Sequence, residues 1–139
     1  MNEQIAGVAI FDDDEDILSI CKYVLQDHGW RVNTFTNCND VIAKVKECAP
    51  DVIFMDNWIP PKGGIVATQE LKNDEALRNI PVIYFSANSE ISKLANNAGA
   101  EYFLAKPFDL DDLVATIQTA LKKREQKDHS QLLNDAKSQ

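Results

Sequence analysis

The 139-residue chain contains no long apolar run and no basic stretch, and we expect no secretory leader. No hydrophobic segment approaches the roughly 20 residues that span a bilayer, and residues 1–7 are too short and polar for a signal peptide. The net charge is −8, and no Lys/Arg-rich stretch interrupts the main part of the chain. These absences argue against direct nucleic-acid binding and against basic attachment to a membrane, and we expect a cytoplasmic protein.

Paired cysteines are also missing. Cys21, Cys38 and Cys48 are odd in number and widely spaced, with no CxxC motif. We therefore expect small buried thiols in a reducing compartment rather than a disulfide framework or a zinc site.

What the chain does contain is a fivefold alternation of short apolar runs and helix-like segments. The runs lie at residues 8–11, 31–35, 52–55, 82–85 and 102–105. Such alternation predicts an α/β fold, and runs that are apolar throughout indicate strands buried on both faces. We predict a three-layer, doubly wound, five-stranded parallel sheet of order 2-1-3-4-5, which is flavodoxin-like.

The same pattern sets the expected boundaries. One domain is predicted over residues 1–122, followed by a polar tail, 123–139, that extends the last helix or is disordered. Within the domain, Gly29 is expected to close the first helix. Asn37 or Asn39 is expected to cap a second helix that runs to about Cys48, because Pro50 bars its continuation.

Acidic residues stand at the ends of the first and third runs. Asp12 and Asp13 follow residues 8–11, and Asp56 follows residues 52–55. In the predicted strand order, these two ends flank the crevice where open α/β sheets bind ligands. Carboxylates gathered there would repel one another without a cation, and Mg²⁺ prefers such oxygen ligands.

Two further strand ends supply a hydroxyl and an ammonium group. Ser86 ends the fourth run, and Lys106 follows the fifth beside Pro107. Taken singly, each feature has a simpler explanation, since an Asp after a strand is usually a cap and a Lys-Pro pair is usually a turn. Together at one sheet edge they indicate phosphoryl transfer with an Asp nucleophile.

Four segments of the sequence together resemble those of one protein family. They are residues 8–13 (VAIFDD), 56–60 (DNWIP) with Gly64, 82–87 (VIYFSA) and 106–108 (KPF). In order and spacing they resemble the receiver domain of two-component response regulators, over about residues 5–122. The chain is similar to single-domain receivers of the chemotaxis-regulator type. This resemblance implies a signalling phosphoacceptor that assists its own phosphorylation and dephosphorylation, rather than an enzyme.

The resemblance also implies a role for each acidic residue. Asp56 is the expected phosphoacceptor. Mg²⁺ is the expected cofactor, with ligands from Asp12, Asp13, Asp56 and the backbone carbonyl of Trp58. The implied reaction is Mg²⁺-dependent phosphoryl transfer to Asp56 from a phosphohistidine, in a sensor histidine kinase or a histidine phosphotransfer domain.

Lys106 and Ser86 are expected to act with the phosphoacceptor. The resemblance implies that Lys106 contacts a phosphate oxygen, that Ser86 moves to the phosphoryl group, and that Phe103 then turns inward. This switch is read out on the face formed by helix four, strand five and helix five, as a monomer or a weak dimer. The Lys106–Pro107 peptide bond is expected to be cis. The downstream protein target stays open.

Four other positions have expected roles around the site. Trp58 and Asn88 lie two residues after the phosphoacceptor and the switch hydroxyl, where family members control access of water, so both are expected to tune phosphoryl lifetime. Asp16 and Ile17 on the first helix are expected to dock the phosphodonor. A broadly buried first helix would explain its apolar residues equally well.

Two other functions fit parts of the sequence. The run Asp12-Asp13-Asp14 contains the Asp-x-Asp spacing of dehalogenase-type phosphatases, which would make Asp12 the nucleophile. That assignment leaves Asp56 without a role, and the chain is short for that class. The second alternative is a receiver fold that serves only as a docking module, without phosphorylation.

Overall fold

The computed structural model describes residues 5–137 and the side chains of residues 5–124. Residues 1–4 of the predicted domain and residues 138–139 of the predicted tail lie outside the described part. The strands are β1 (Gly7–Phe11), β2 (Arg31–Phe35), β3 (Val52–Asp56), β4 (Val82–Ser86) and β5 (Tyr102–Ala105). The helices are α1 (Glu15–Asp27), α2 (Val41–Cys48), α3 (Gly64–Asn73), α4 (Ile91–Ala98) and α5 (Leu110–Lys137). Among the described helices, none has the length and apolarity to cross a membrane.

All five strands pair in parallel, in the order β2-β1-β3-β4-β5, which confirms the predicted fold class. Strands β1, β3 and β4 are buried along their whole length, as expected for the interior of a sheet covered on both faces. Phe11 of β1 pairs with Met55 of β3. The residues that follow this pair, Asp12 and Asp56, therefore reach the same edge of the sheet.

The core has two sides because side chains alternate across each strand. Phe54 of β3 belongs to the side covered by α1 and α5, with Leu25 and Ile117. Met55 belongs to the opposite side, with Val45 of α2 and Leu71 of α3. Helix α4 covers the rest of that side, over β4. The sheet is thus held between two helix layers, and its carboxyl edge stays open for a site.

Helix α1 begins with a side-chain cap, but the cap predicted for α2 is wrong. The Asp14 carboxylate accepts hydrogen bonds from the first backbone N–H groups of α1. At α2 the N-cap is Asp40, which has a left-handed backbone and makes no side-chain cap hydrogen bond. The Asn37 side-chain oxygen Oδ1 instead accepts from the Asn39 backbone N–H at 3.0 Å and from Lys44 Nζ at 2.6 Å. This local turn uses the amide that was expected to cap the helix.

Helix α5 crosses residue 122, the predicted end of the domain, and continues to Lys137. Just beyond that boundary, Arg124 Nη1 lies 3.2 Å from Asp51 Oδ1 and 3.4 Å from the Pro50 carbonyl oxygen. The other carboxylate oxygen of Asp51 accepts from the Gly7 backbone N–H at 2.8 Å. One acidic residue thus links α5 to the amino end of the sheet.

Candidate functional site

Three carboxylates meet at the carboxyl edge of the sheet. Asp12 is fully buried, Asp56 is 4% exposed and Asp13 is exposed, and one ligand oxygen from each lies within 4.8 Å of the others. The Asp12 backbone N–H donates to the Phe35 carbonyl at 3.1 Å, and its carboxylate accepts from the Asp14 N–H at 2.9 Å. Backbone bonds to β2 and to the start of α1 therefore fix the first carboxylate.

Lys106 lies between the two buried carboxylates. Its Nζ is 3.0 Å from Asp12 Oδ2 and 3.1 Å from Asp56 Oδ1, and 4.7 Å from the centre of the Phe85 ring. The Lys106 backbone N–H donates to the Ser86 carbonyl at 2.9 Å, which ties the end of β5 to the end of β4. The Lys106–Pro107 peptide bond is cis. The strand ends thus bring together the predicted ammonium group and the predicted carboxylates.

Burial governs the electrostatics of this cluster. Burial raises the pKa of the Asp56 carboxyl, and the Asp12 charge raises it further, while Lys106 offsets part of the shift. Burial acts to lower the pKa of Lys106, but its hydrogen bonds to Asp12 and Asp56 outweigh this effect and the net shift is upward. Lys106 is therefore a fixed positive charge at neutral pH, whereas the ionised form of Asp56 is electrostatically disfavoured.

We predict that Asp56→Asn stabilises the metal-free protein at neutral pH. A carboxyl whose pKa is higher in the folded state favours folding while it is protonated, and this contribution is lost as pH rises through that pKa. Asparagine does not ionise and leaves Lys106 paired with Asp12. In a chelator at pH 7, the melting temperature should rise by a few degrees, the size expected for about 1 kcal/mol.

The difference in melting temperature between the variant and the wild type should become smaller toward about pH 4, where the wild-type carboxyl takes up its proton in both the folded and the unfolded chain. Thermal melts across this pH range provide the measurement. A variant that melts at or below the wild-type temperature at pH 7 would contradict the assigned electrostatics.

The three carboxylates fit a hard divalent cation. Lys106 is the basic group paired with the two buried acids, so three carboxylates face one ammonium group in this cluster. Such a set of close oxygen donors suits Mg²⁺, which takes one or two carboxylates and keeps several waters. Asp12, Asp13 and Asp56 are accordingly the side chains that could hold the metal.

The remaining predicted site residues differ in exposure. Ser86 is buried, and its hydroxyl accepts from the Asn88 backbone N–H at 3.0 Å. The side chain of Asn88 is exposed, and Trp58 is 78% exposed. Phe103 is 50% exposed, on the edge strand β5. The predicted switch hydroxyl therefore lies inside the protein, and the predicted switch aromatic lies at the surface.

A predicted docking surface adjoins the site on α1. Asp16 is exposed and Ile17 is partly buried. A largely apolar groove of about 410 Å³ begins at Ile17 and is lined by Ile17, Ile20, Cys21, Ala87, Lys106, Pro107, Phe108 and Leu110. Ile17 also packs against the core cluster. Ile17 contacts the core and also borders the groove. Burial and docking, the two explanations for the apolar residues of α1, therefore both apply to this residue.

Sequence reasoning missed one polar pair beside the site. The Tyr84 hydroxyl donates a hydrogen bond to Asn57 Oδ1, immediately after Asp56. Tyr84 is fully buried in β4, within the run of residues 82–85 that was predicted as an apolar strand. The available signal was a phenol inside an otherwise apolar buried run, because a buried Tyr hydroxyl usually has a hydrogen-bond partner.

Sequence comparison relates the chain to known signalling proteins. The profile of the response regulator receiver domain matches residues 8–118. The DNA-binding transcriptional regulator NtrC of Salmonella typhimurium is 32% identical over 116 residues, covering 82% of this chain and 24% of NtrC. The response regulator protein TmoT of Ectopseudomonas mendocina is 30% identical over 141 residues, covering 99% of this chain and 63% of TmoT. The chain thus spans less than two thirds of either relative.

Solved structures agree with the sequence matches. The chemotaxis response regulator CheY4 of Vibrio cholerae has a TM-score of 0.79 at 26% identity, covering 85% of this chain and 100% of that one. A CheY-like receiver domain protein from Methanospirillum hungatei has a TM-score of 0.80 at 24% identity, covering 89% and 99%; at that identity it supports the fold alone. These matches confirm the predicted family resemblance and the flavodoxin-like sheet.

Proposed function

Because this chain belongs to the response regulator receiver domain family, whose members histidine kinases phosphorylate, we propose that Asp56 is its phosphoacceptor. The observation that supports this proposal best is the position of Lys106 Nζ, 3.0 Å from Asp12 and 3.1 Å from Asp56. An ammonium group beside the acceptor carboxylate can bind a phosphate oxygen. A module used only for docking would need neither an acceptor carboxylate nor an ammonium group beside it.

In the proposed reaction, an Asp56 oxygen attacks the phosphorus of a phosphohistidine. The new bond joins that oxygen to phosphorus, the phosphorus–nitrogen bond breaks, and the imidazole leaves with the bonding electron pair. Bound Mg²⁺ would supply positive charge to the phosphoryl oxygens. Asp12, Asp13, Asp56 and the Trp58 backbone carbonyl would hold the metal, while Lys106 would orient the phosphoryl group.

The proposed switch starts from the buried hydroxyl of Ser86. Its bond from the Asn88 backbone N–H would be exchanged for one to the phosphoryl group, and Phe103 would move into the space released. Tyr84 pairs with Phe103 in the sheet register, so the rotating ring would pack near α4. We propose that the face of α4, β5 and α5 carries the readout, to a downstream protein or through a weak dimer.

We place the receiver domain at residues 1–122, with residues 123–139 as a polar extension, in a cytoplasmic two-component or phosphorelay system. Trp58 and Asn88 are proposed to tune phosphoryl lifetime, and their exposure places both where a partner or water can reach them.

Chemical labelling tests the proposed function without a kinase. The full chain would be incubated with acetyl phosphate, with and without Mg²⁺, and resolved on a phosphate-affinity gel. A retarded species that forms only with Mg²⁺ is the expected result. A chain that binds Mg²⁺ but gains no label would instead be a docking module, and the proposal would fail.

We predict that Ile17→Ala slows phosphotransfer from a phosphohistidine donor by about tenfold, because it removes apolar surface at the proposed docking site. Labelling by acetyl phosphate should not change, since that small donor needs no helical contact. Val66→Ala, which truncates an exposed apolar residue on α3, is the matched control. Equal slowing with both donors would show that Ile17 acts through the fold and not through docking.

A further inference from the structure

Tyr84 connects the interior of the protein to the loop that follows the phosphoacceptor. Its ring is buried against Ile91, Ala95 and Ala98 in the cluster beneath α4. Its hydroxyl reaches the carboxamide of Asn57, the first residue of the β3–α3 loop. A Phe ring at this position would be buried against α4 equally well. The hydroxyl is therefore an additional feature, and its bond to Asn57 offsets the desolvation of a buried polar group.

Backbone bonds hold the same loop from two other directions. The Asn57 N–H donates to the Phe85 carbonyl at 3.1 Å, and the Asn57 carbonyl accepts from the Gly64 N–H at 3.0 Å. The next side chain, Trp58, is 78% exposed and points away from the core. Further along the loop, the Cys38 thiol donates to the carbonyls of Ile59 and Pro60. Among the described contacts, the Tyr84–Asn57 bond is the side-chain bond to the first residue of the loop.

We propose that Tyr84 is a positioning residue: its hydrogen bond to Asn57 holds the β3–α3 loop in the arrangement that lets the Trp58 backbone carbonyl bind Mg²⁺ beside the carboxylates, which strengthens Mg²⁺ binding. This inference rests on the proposed function, because it assumes the metal site. Tyr84 touches neither metal nor phosphoryl group in this assignment. It acts through Asn57, as outer partners of metal ligands commonly do.

The chemistry of the phenol suits this role. Burial, and after it the charge of Asp56, raises the pKa of the Tyr84 hydroxyl to about 12. The hydroxyl therefore keeps its proton at physiological pH and remains a hydrogen-bond donor. A Phe at this position would pack in the same cluster but would leave the side-chain oxygen Oδ1 of Asn57 without its donor.

The test measures Mg²⁺ binding by calorimetry, using the metal alone and the full chain. Tyr84→Phe should weaken the affinity by roughly five- to tenfold, as expected for the loss of a supporting hydrogen bond. Asn57→Ala should weaken it by a similar factor. Because both changes remove one bond, the double variant should be no weaker than the Asn57 variant, whereas independent effects would multiply.

Tyr102→Phe is the matched control, since Tyr102 lies on the neighbouring strand and packs on the opposite side of the sheet, with α1 and α5. It should leave Mg²⁺ affinity unchanged. A second readout needs no metal: amide hydrogen exchange at Gly64 should be several-fold faster in Tyr84→Phe than in the wild type. A general loss of stability would instead speed exchange across the core strands as well.

The outcomes separate the inference from the proposed function. If the wild type binds no Mg²⁺, the metal site itself is wrong. If the wild type binds Mg²⁺ and Tyr84→Phe binds it equally well, or if the two substitutions multiply in the double variant, Tyr84 does not position the loop. If Tyr84→Phe does not fold, Asn57→Ala alone decides, and an unchanged affinity in that variant overturns the inference.

Discussion

Asp56→Asn should abolish labelling of this chain by acetyl phosphate, with a loss on the order of a hundredfold or more in rate. The amide nitrogen and oxygen of asparagine do not form a stable acyl phosphate. The substitution keeps the size of the side chain and leaves Lys106 paired with Asp12, so the loss reports on chemistry and not on folding. Phosphate-affinity electrophoresis over a time course with Mg²⁺ gives the rates.

Asp51→Asn is the matched control for this loss. Asp51 lies immediately before β3, at the opposite end of the strand from Asp56, and pairs with Arg124. Its substitution should leave the labelling rate unchanged. If Asp56→Asn is still labelled at the wild-type rate, Asp56 is not the acceptor. Asp12 would then be the candidate nucleophile, as in a dehalogenase-type phosphatase.

Gly64→Ala should destabilise the protein by about 3 kcal/mol. A Cβ at Gly64 would collide with the backbone carbonyl of Asp56 and would also crowd Asn57. The obstacle is backbone, so no side chain can rotate away. Alanine gains up to about 1 kcal/mol over glycine in a helix, and this gain is smaller than the expected cost of the collision. Chemical denaturation of the metal-free protein provides the measurement.

Gly29→Ala gives the comparison for Gly64. Gly29 has a φ of +89°, but a Cβ there would meet no atom within 4 Å. Its substitution should cost only about 1 kcal/mol, the strain of a left-handed backbone without a steric contact. Equal losses at the two glycines would show that the start of α3 moves away from β3 easily, contrary to the close approach described here.

The sheet could be predicted because its central strands are apolar on both faces. Residues 52–55 and 82–85 read as continuous buried runs, and strand order then placed Asp12 and Asp56 at one edge. The register that brings Phe11 opposite Met55 explains why both carboxylates arrive at the same level. The acidic part of the candidate site therefore followed from the strand ends alone.

The cap of α2, the end of α5 and the Tyr84–Asn57 bond could not be predicted, because each depends on contacts that a sequence pattern does not reveal. Asn37 had the right chemistry to cap α2, but its carboxamide is used by Asn39 and Lys44. The polar stretch after residue 122 was compatible with helix or disorder, and α5 extends to Lys137. Hydrogen bonds between distant segments, such as Tyr84 to Asn57, arise only when the strands are assembled.

The central claim is that a phosphoryl group is carried by Asp56 in a Mg²⁺-dependent manner. The most direct test labels the wild-type chain with acetyl phosphate and Mg²⁺, reduces the acyl phosphate with borohydride, and maps the modified residue by peptide mass spectrometry. Reduction converts an aspartyl phosphate into homoserine, so the acceptor is marked permanently. We predict homoserine at position 56 in place of Asp56, and none when Mg²⁺ is removed by a chelator. Homoserine at position 12, or none at any position in protein that has bound Mg²⁺, would contradict the account.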